Sequence, residues 1–193
     1  MEHMHSTALR RGLAATALVG GALTIALVGG TSASADGDAG AAAAPATITM
    51  QFEKGKFFFS GAKQVRAGSN LRIRNNTEPQ KGGPHTFSLV TESVLPNTPM
   101  ERKQCFGGGI CGPIAAAQRF DEDTGKVGRP LVMAGKPGWD RPFNSERKGD
   151  TWYSETDGET FSQRVSARRG KTLRYVCAIH PEMQGKIKVI GRR

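Results

Sequence analysis

Histidine is scarce in this 193-residue chain: there are four, and two of them, His3 and His5, fall within the first few residues. Chemistry that needs a crowd of imidazoles is therefore excluded. Cysteine is scarce too, three in all, and the odd number rules out a scaffold of fully paired disulfides. No internal repeat recurs, which excludes a solenoid or propeller. Acids thin out toward the C-terminus, where Phe161 to Arg193 holds nine bases and a single acid, Glu182. The aromatics do not interleave with those bases as a nucleic-acid stacking surface requires, so no nucleic-acid partner is expected.

The start of the chain reads as an export signal. Arg10 and Arg11 precede an apolar run from Gly12 to Gly30, and Ala33-Ser34-Ala35 is an A-x-A cleavage site. The apolar run is near the ~18-residue threshold for spanning a bilayer, but its glycines and the immediate A-x-A favour cleavage over a retained anchor. The expectation is a leader over 1–35, a mature start at Asp36, a flexible Asp/Gly/Ala lead-in over 36–45 and one domain over 46–193. The leader carries two bases and one acid, so its removal takes the net charge from +10 to +9.

The domain reads as mostly β. Ala46 to Phe52 alternates with period two, and Lys56 to Ser60 is aromatic-rich. Gln64 to Asn76 predicts a short strand, an Ala-Gly turn and a second strand with Leu71 and Ile73 on one face and Arg72 and Arg74 on the other. Further strands are predicted at His85–Val90, Thr160–Val165, Thr172–Cys177 and Lys186–Ile190, with turns marked by Gly158, Gly170 and Gly185. This pattern points to an all-β sandwich or barrel. Between about 92 and 150 the text changes to a loop-rich insertion with six prolines and one helical-looking stretch, Ile114 to Phe120. Trp139, Phe143 and Trp152 imply that this region is ordered.

Within the insertion, Cys105 and Cys111 are close in sequence across a glycine run and read as a local disulfide in an oxidising compartment. That leaves Cys177 unpaired, with its mispairing to either other cysteine the alternative the sequence leaves open. Cys177 heads the run Cys177-Ala-Ile-His180-Pro-Glu-Met183, which sets a thiolate, an imidazole and a thioether at three-residue steps just after a strand. Soft sulfur and imidazole donors together suit copper cycling between Cu(I) and Cu(II). One further histidine completes a two-His, one-Cys, axial-Met site, and Pro84-His85-Thr86 supplies it. The candidate metal ligands are thus His85, Cys177, His180 and Met183. Half of a zinc site is the competing reading of Cys177 and His180, but zinc would call on further Cys or His.

The Cys-x-x-His-x-x-Met loop followed by Gly185-x-Ile187-x-Val189 resembles the ligand loop of the cupredoxins, with the spacing of amicyanin and pseudoazurin. Val65 to Asn75 is similar to the second and third cupredoxin strands, and Pro84-His85 to the upstream ligand. The resemblance covers about 46–91 and 150–190. It implies a Greek-key β-sandwich, one type 1 copper and one-electron transfer with His180 as the route to the solvent edge. Two departures stand out. The residue after the upstream histidine is often Asn in that family; here it is Thr86, whose hydroxyl is expected to hold the ligand loop less firmly. Also, 91 residues separate His85 from Cys177, far more than in small cupredoxins.

The resulting expectation is an exported copper protein that carries single electrons and is not an enzyme, since no base or nucleophile remains near the ligands. A copper-binding module for sequestration or delivery in the envelope would use the same ligands. A metal-free structural or adhesion domain would need the ligand match to be coincidental. The basic C-terminal segment reads as a docking face for an acidic redox partner, or for a membrane surface or anionic cell-wall polymer, with a solubilising surface that has no partner as the equal alternative.

Overall fold

The computed structural model describes residues 44–78, 83–144 and 148–191. The expected leader and all but the last two residues of the lead-in lie outside them. Ten strands form two sheets: β1 (Ala46–Glu53), β2 (Lys56–Gly61), β3 (Gln64–Arg66), β4 (Asn70–Asn76), β5 (His85–Val90), β6 (Leu131–Val132), β7 (Thr151–Ser154), β8 (Thr160–Arg164), β9 (Thr172–Val176) and β10 (Gln184–Ile190). One sheet runs β2-β1-β4-β8 and the other β3-β10-β9-β5-β7-β6. The chain changes sheet repeatedly, and this non-sequential order is that of a Greek-key sandwich.

Period-two alternation explains the strands. In β4, Leu71, Ile73 and Asn75 are buried while Arg72 and Arg74 are exposed. β1 sends Ile48 and Met50 inward beside them, since it pairs in parallel with β4 and sets Ile48 opposite Ile73. Each such fully buried side chain contributes about 1.5–3 kcal/mol. Lys54 and Gly55 take positive φ (52° and 75°), turning β1 into β2. Aromatics fill the middle of the sandwich: Phe59, Phe87 and Tyr175 meet at centroid distances of 4.7–6.0 Å.

The insertion carries the expected short helix and one more: α1 (Pro99–Lys103) precedes α2 (Cys111–Ala117), which overlaps the expected stretch, and a 3-10 turn lies at Glu92–Val94. α1 starts on a capping box: Thr98 accepts from the Glu101 amide, and the Glu101 carboxylate accepts from the Thr98 amide. α2 ends before the expected stretch does, because Arg119 takes a left-handed backbone (φ 54°). β6 and β7 were also not foreseen, and β7 begins directly after the insertion, antiparallel to β5. Cys105 and Cys111 are disulfide-bonded, so Cys177 is free and mispairing is excluded.

The insertion is built into the sandwich on both sides of β5. Its Trp139 enters the main core, and its Cys105, Ile110, Cys111, Ile114 and Phe143 form a second core against Val90, Val176 and Ala178. All six residues of β5 are consequently buried. Asp150 locks the end of the insertion: its carboxylate accepts from the amides of Ala134, Asp140 and Arg141. Burial raises the pKa of that carboxyl, and the three amides oppose the rise.

Candidate metal centre

His85 opens β5, and Cys177 follows the last residue of β9. His180 lies in the turn after it, and Met183 immediately precedes β10. The turn is closed by its own backbone: the Cys177 amide donates to the Met183 carbonyl at 3.0 Å and the Met183 amide to the His180 carbonyl at 2.8 Å. A loop of this kind can aim several side chains at one point, which a strand, with alternating faces, cannot.

Three donors converge there. Cys177 Sγ lies 3.8 Å from His85 Nδ1 and 3.9 Å from His180 Nδ1, and the two nitrogens are 3.2 Å apart. A triangle with these sides has its centre about 2.1 Å from each corner, which is the bond length of a first-row metal ion to nitrogen or a compact thiolate. His85 and Cys177 are buried and His180 is half-buried. Among the described residues these three form the one group of His, Cys, Asp or Glu close enough to hold a metal ion. Met183 is fully buried in the main core alongside Cys177.

The surroundings leave both imidazoles neutral at pH 7. Burial, with the neighbouring His180 adding to it, holds the His85 pKa down to about 4, and burial lowers that of His180 as well. Burial raises the Cys177 thiol, against the pull of amide donors from Thr86, His180 and Ile179. A metal that takes this site therefore meets two free nitrogen lone pairs and displaces one thiol proton.

The tautomer of His85 is fixed by a chain of side chains. Thr77 donates its hydroxyl proton to Asn75 Oδ1 at 2.6 Å, so its oxygen accepts from His85 Nε2 at 3.1 Å. Asn75 Nδ2 in turn donates to Ser154 Oγ at 3.0 Å. With the proton on Nε2, the lone pair sits on Nδ1, facing Cys177 and His180.

Thr86 performs the role for which it looked poorly suited. Its hydroxyl oxygen accepts from the Ala178 amide at 2.7 Å and its own amide donates to Cys177 Sγ at 3.3 Å. The ligand loop is thus tied to β5 on both sides of the sulfur, and the expectation of a weakened tie is corrected. A second tie comes from Gln184, whose Nε2 donates to the carbonyls of Pro181 and Pro96, each at 2.8 Å, joining the loop to the insertion.

Phe57 was missed from sequence. Its ring lies 4.1 Å from that of His180 and 5.3 Å from that of His85, covering both imidazoles from β2. Its place in Phe57-Phe58-Phe59 signalled a strand face, and nothing there signalled which end of the sandwich the face would meet.

No family model matches the chain, and no curated protein does. Among solved structures, auracyanin A, a "blue" copper protein from the green thermophilic photosynthetic bacterium Chloroflexus aurantiacus, is 19% identical. That match covers 75% of this chain and 98% of the other, at a TM-score of 0.39. Auracyanin B is 14% identical over 74% of this chain and 87% of its own, at a TM-score of 0.38. A multi-copper oxidase from Pediococcus acidilactici is 12% identical, covering 75% of this chain and 26% of the oxidase, at a TM-score of 0.35. Likenesses this loose leave the site to be read from its own atoms: two imidazole nitrogens and one cysteine sulfur, spaced around a common centre, with His85 and Cys177 buried and His180 half-buried.

Proposed function

We propose that this chain is an exported mononuclear type 1 copper protein that carries single electrons between redox partners. The observation that carries the reading is the donor triangle of His85 Nδ1, His180 Nδ1 and Cys177 Sγ, whose centre lies at metal-bond distance from all three. Bound copper supplies a one-electron Cu(I)/Cu(II) couple. The chain's own residues would hold it: Cys177, His85 and His180 as the three close donors, and Met183 as a fourth, weaker one. Thr77 and Thr86 fix the His85 ring and the ligand loop, so little needs to rearrange when the charge at the site changes. Half-exposed His180, with Phe57 over its ring, is the edge through which an electron enters and leaves. With His85, His180 and Cys177 committed to the metal, no base or nucleophile is left over among the residues assigned to the site, which favours a carrier over an enzyme. The Cys105–Cys111 disulfide suits an oxidising compartment outside the cytosol.

Titration of residues 36–193 with Cu(II), followed by visible absorption and EPR beside Cys177→Ser, tests this reading. An intense thiolate-to-copper band with compressed copper hyperfine splitting, saturating at one equivalent and lost in the variant, is expected. A pale spectrum from the folded wild-type protein would sink the type 1 assignment. A blue protein that keeps Cu(I) tightly and exchanges electrons slowly would favour copper sequestration or delivery.

The partner we infer is an acidic redox protein. On the outer face of the larger sheet, Lys186 stands opposite Arg174, and Lys188 lies between Thr172 and Gln64. Of these cations Arg174 meets a carboxylate, Glu92, at 2.7 Å. Electron exchange with an acidic acceptor is expected to slow by tenfold or more between about 10 mM and 200 mM salt, as electrostatically steered encounters do. A stopped-flow rate independent of salt would remove the acidic partner.

A further inference from the structure

Four buried polar side chains link the insertion to the sulfur of Cys177. Gln118, at the end of α2, directs Nε2 at Thr151 Oγ1 at 3.1 Å. Thr151 Oγ1 lies 2.7 Å from Ser88 Oγ, and Ser88 Oγ donates to Thr86 Oγ1 at 3.2 Å. All four side chains are buried, as is Cys177.

Valence sets the direction of every bond. The amide nitrogen of Gln118 can only donate. Ser88 gives its single proton to Thr86, so the proton between Ser88 and Thr151 must come from Thr151. Thr86 Oγ1 then accepts twice, from Ser88 and from the Ala178 amide. Both its lone pairs are used, and its own proton is left to point onward. The sulfur of Cys177 lies beside it, bonded to the Thr86 amide at 3.3 Å, and the Thr86 hydroxyl is among the donors that act on that sulfur against its burial. The donors therefore run one way, Gln118 to Thr151 to Ser88 to Thr86 to sulfur, so that each polarises the next.

We propose that Gln118 is a long-range positioning residue for the metal centre, the first donor of a one-way buried hydrogen-bond relay that ends on Cys177 Sγ and sets how much charge the sulfur offers a metal. The effect on a metal rests on the copper reading; the relay itself does not. Donors to a ligand sulfur drain charge from it, and the oxidised metal, which draws more on that charge, loses more than the reduced one. The relay thus favours Cu(I). It also explains why residues of the insertion and of β7 carry polar groups into an otherwise apolar layer, where an unpartnered hydroxyl would be destabilising.

The test compares Gln118→Met, Thr151→Val and Thr151→Ser with the wild-type chain. In the copper-loaded protein, Gln118→Met and Thr151→Val are expected to shift the Cu(I)-over-Cu(II) preference threefold to tenfold toward Cu(II). At about 59 mV per factor of ten for one electron, that lowers the reduction potential by about 30–60 mV. The copper–sulfur stretch should strengthen in resonance Raman spectra. Thr151→Ser keeps the hydroxyl and should keep the wild-type potential. In the Thr151→Val background Gln118→Met should add nothing, since the relay is already cut. A merely structural role for Gln118 would lower the melting temperature and leave the potential and the stretch in place, which would overturn the proposal. Copper-free NMR separates this from failure of the copper reading. Gln118→Met should move the amide resonances of Thr86 and Ala178 through the relay with no metal present, and unmoved resonances would overturn it. Moved resonances in a chain that takes up no copper would keep the relay and discard the copper.

Discussion

Trp139→Ala is expected to destabilise the fold by about 3–5 kcal/mol, the cost of emptying a fully buried tryptophan site. Trp139 belongs to the insertion, yet its ring packs edge-on against Phe87 at 5.0 Å and against Phe161 at 5.9 Å, bridging the two sheets. Its amide donates to the Arg164 carbonyl at 2.8 Å, and its carbonyl accepts from the Ala167 amide at 3.2 Å. The residue is thus part of the sandwich although the chain reaches it by a detour. Urea denaturation followed by circular dichroism should show a single transition at a lower midpoint with an unchanged slope. A cost within about 0.5 kcal/mol, the range of ordinary surface substitutions, would mean that the insertion is an appendage.

Withdrawing copper from the loaded protein is the second large effect expected, and it rests on the proposed function. A metal that binds only the folded chain stabilises it by about 4 kcal/mol at a free concentration a thousandfold above its dissociation constant. For a domain of this size that corresponds to about 8–16 °C in melting temperature. Differential scanning calorimetry with and without a copper chelator should show a drop of that order, and Cys177→Ser should show none. Equal melting temperatures for the wild-type chain in both states would contradict metal binding by the folded protein.

Much of the sandwich was legible because its information is local. Alternation in Ala46–Glu53 and Asn70–Asn76 names both the strand and its inward face, and the charged face of β4 leaves no second choice. The convergence of three of the four expected ligands was legible for a different reason. Cys177 and His180 are close in sequence, and the shortage of histidine left His85 as the remaining partner. What escaped is what depends on distant pairing. β7 has four residues and β6 has two, too short to show a period, and they exist because β5 and β7 pair across more than sixty residues of chain. The hydrogen bond from Asn75 to Ser154 spans 79 positions, and that from Gln118 to Thr151 spans 33. Thr86 was undervalued because a hydroxyl was compared with an amide by type. In the fold its oxygen lies where the Ala178 amide points.

The double burial of β5 bears on any attempt to make a smaller version of the protein. A chain rejoined from Val90 to Thr151 would leave Val90, Val176 and Ala178 facing water beside the ligand loop. It would also remove the Pro96 carbonyl that Gln184 uses to steady that loop. The stripped surface would be a sticky apolar strip flanking the Cys177–Met183 loop, and the trimmed protein would self-associate there. Miniaturisation would therefore call for polar replacements at all three positions, and for a new anchor for Gln184, before the shortened chain could stay in solution.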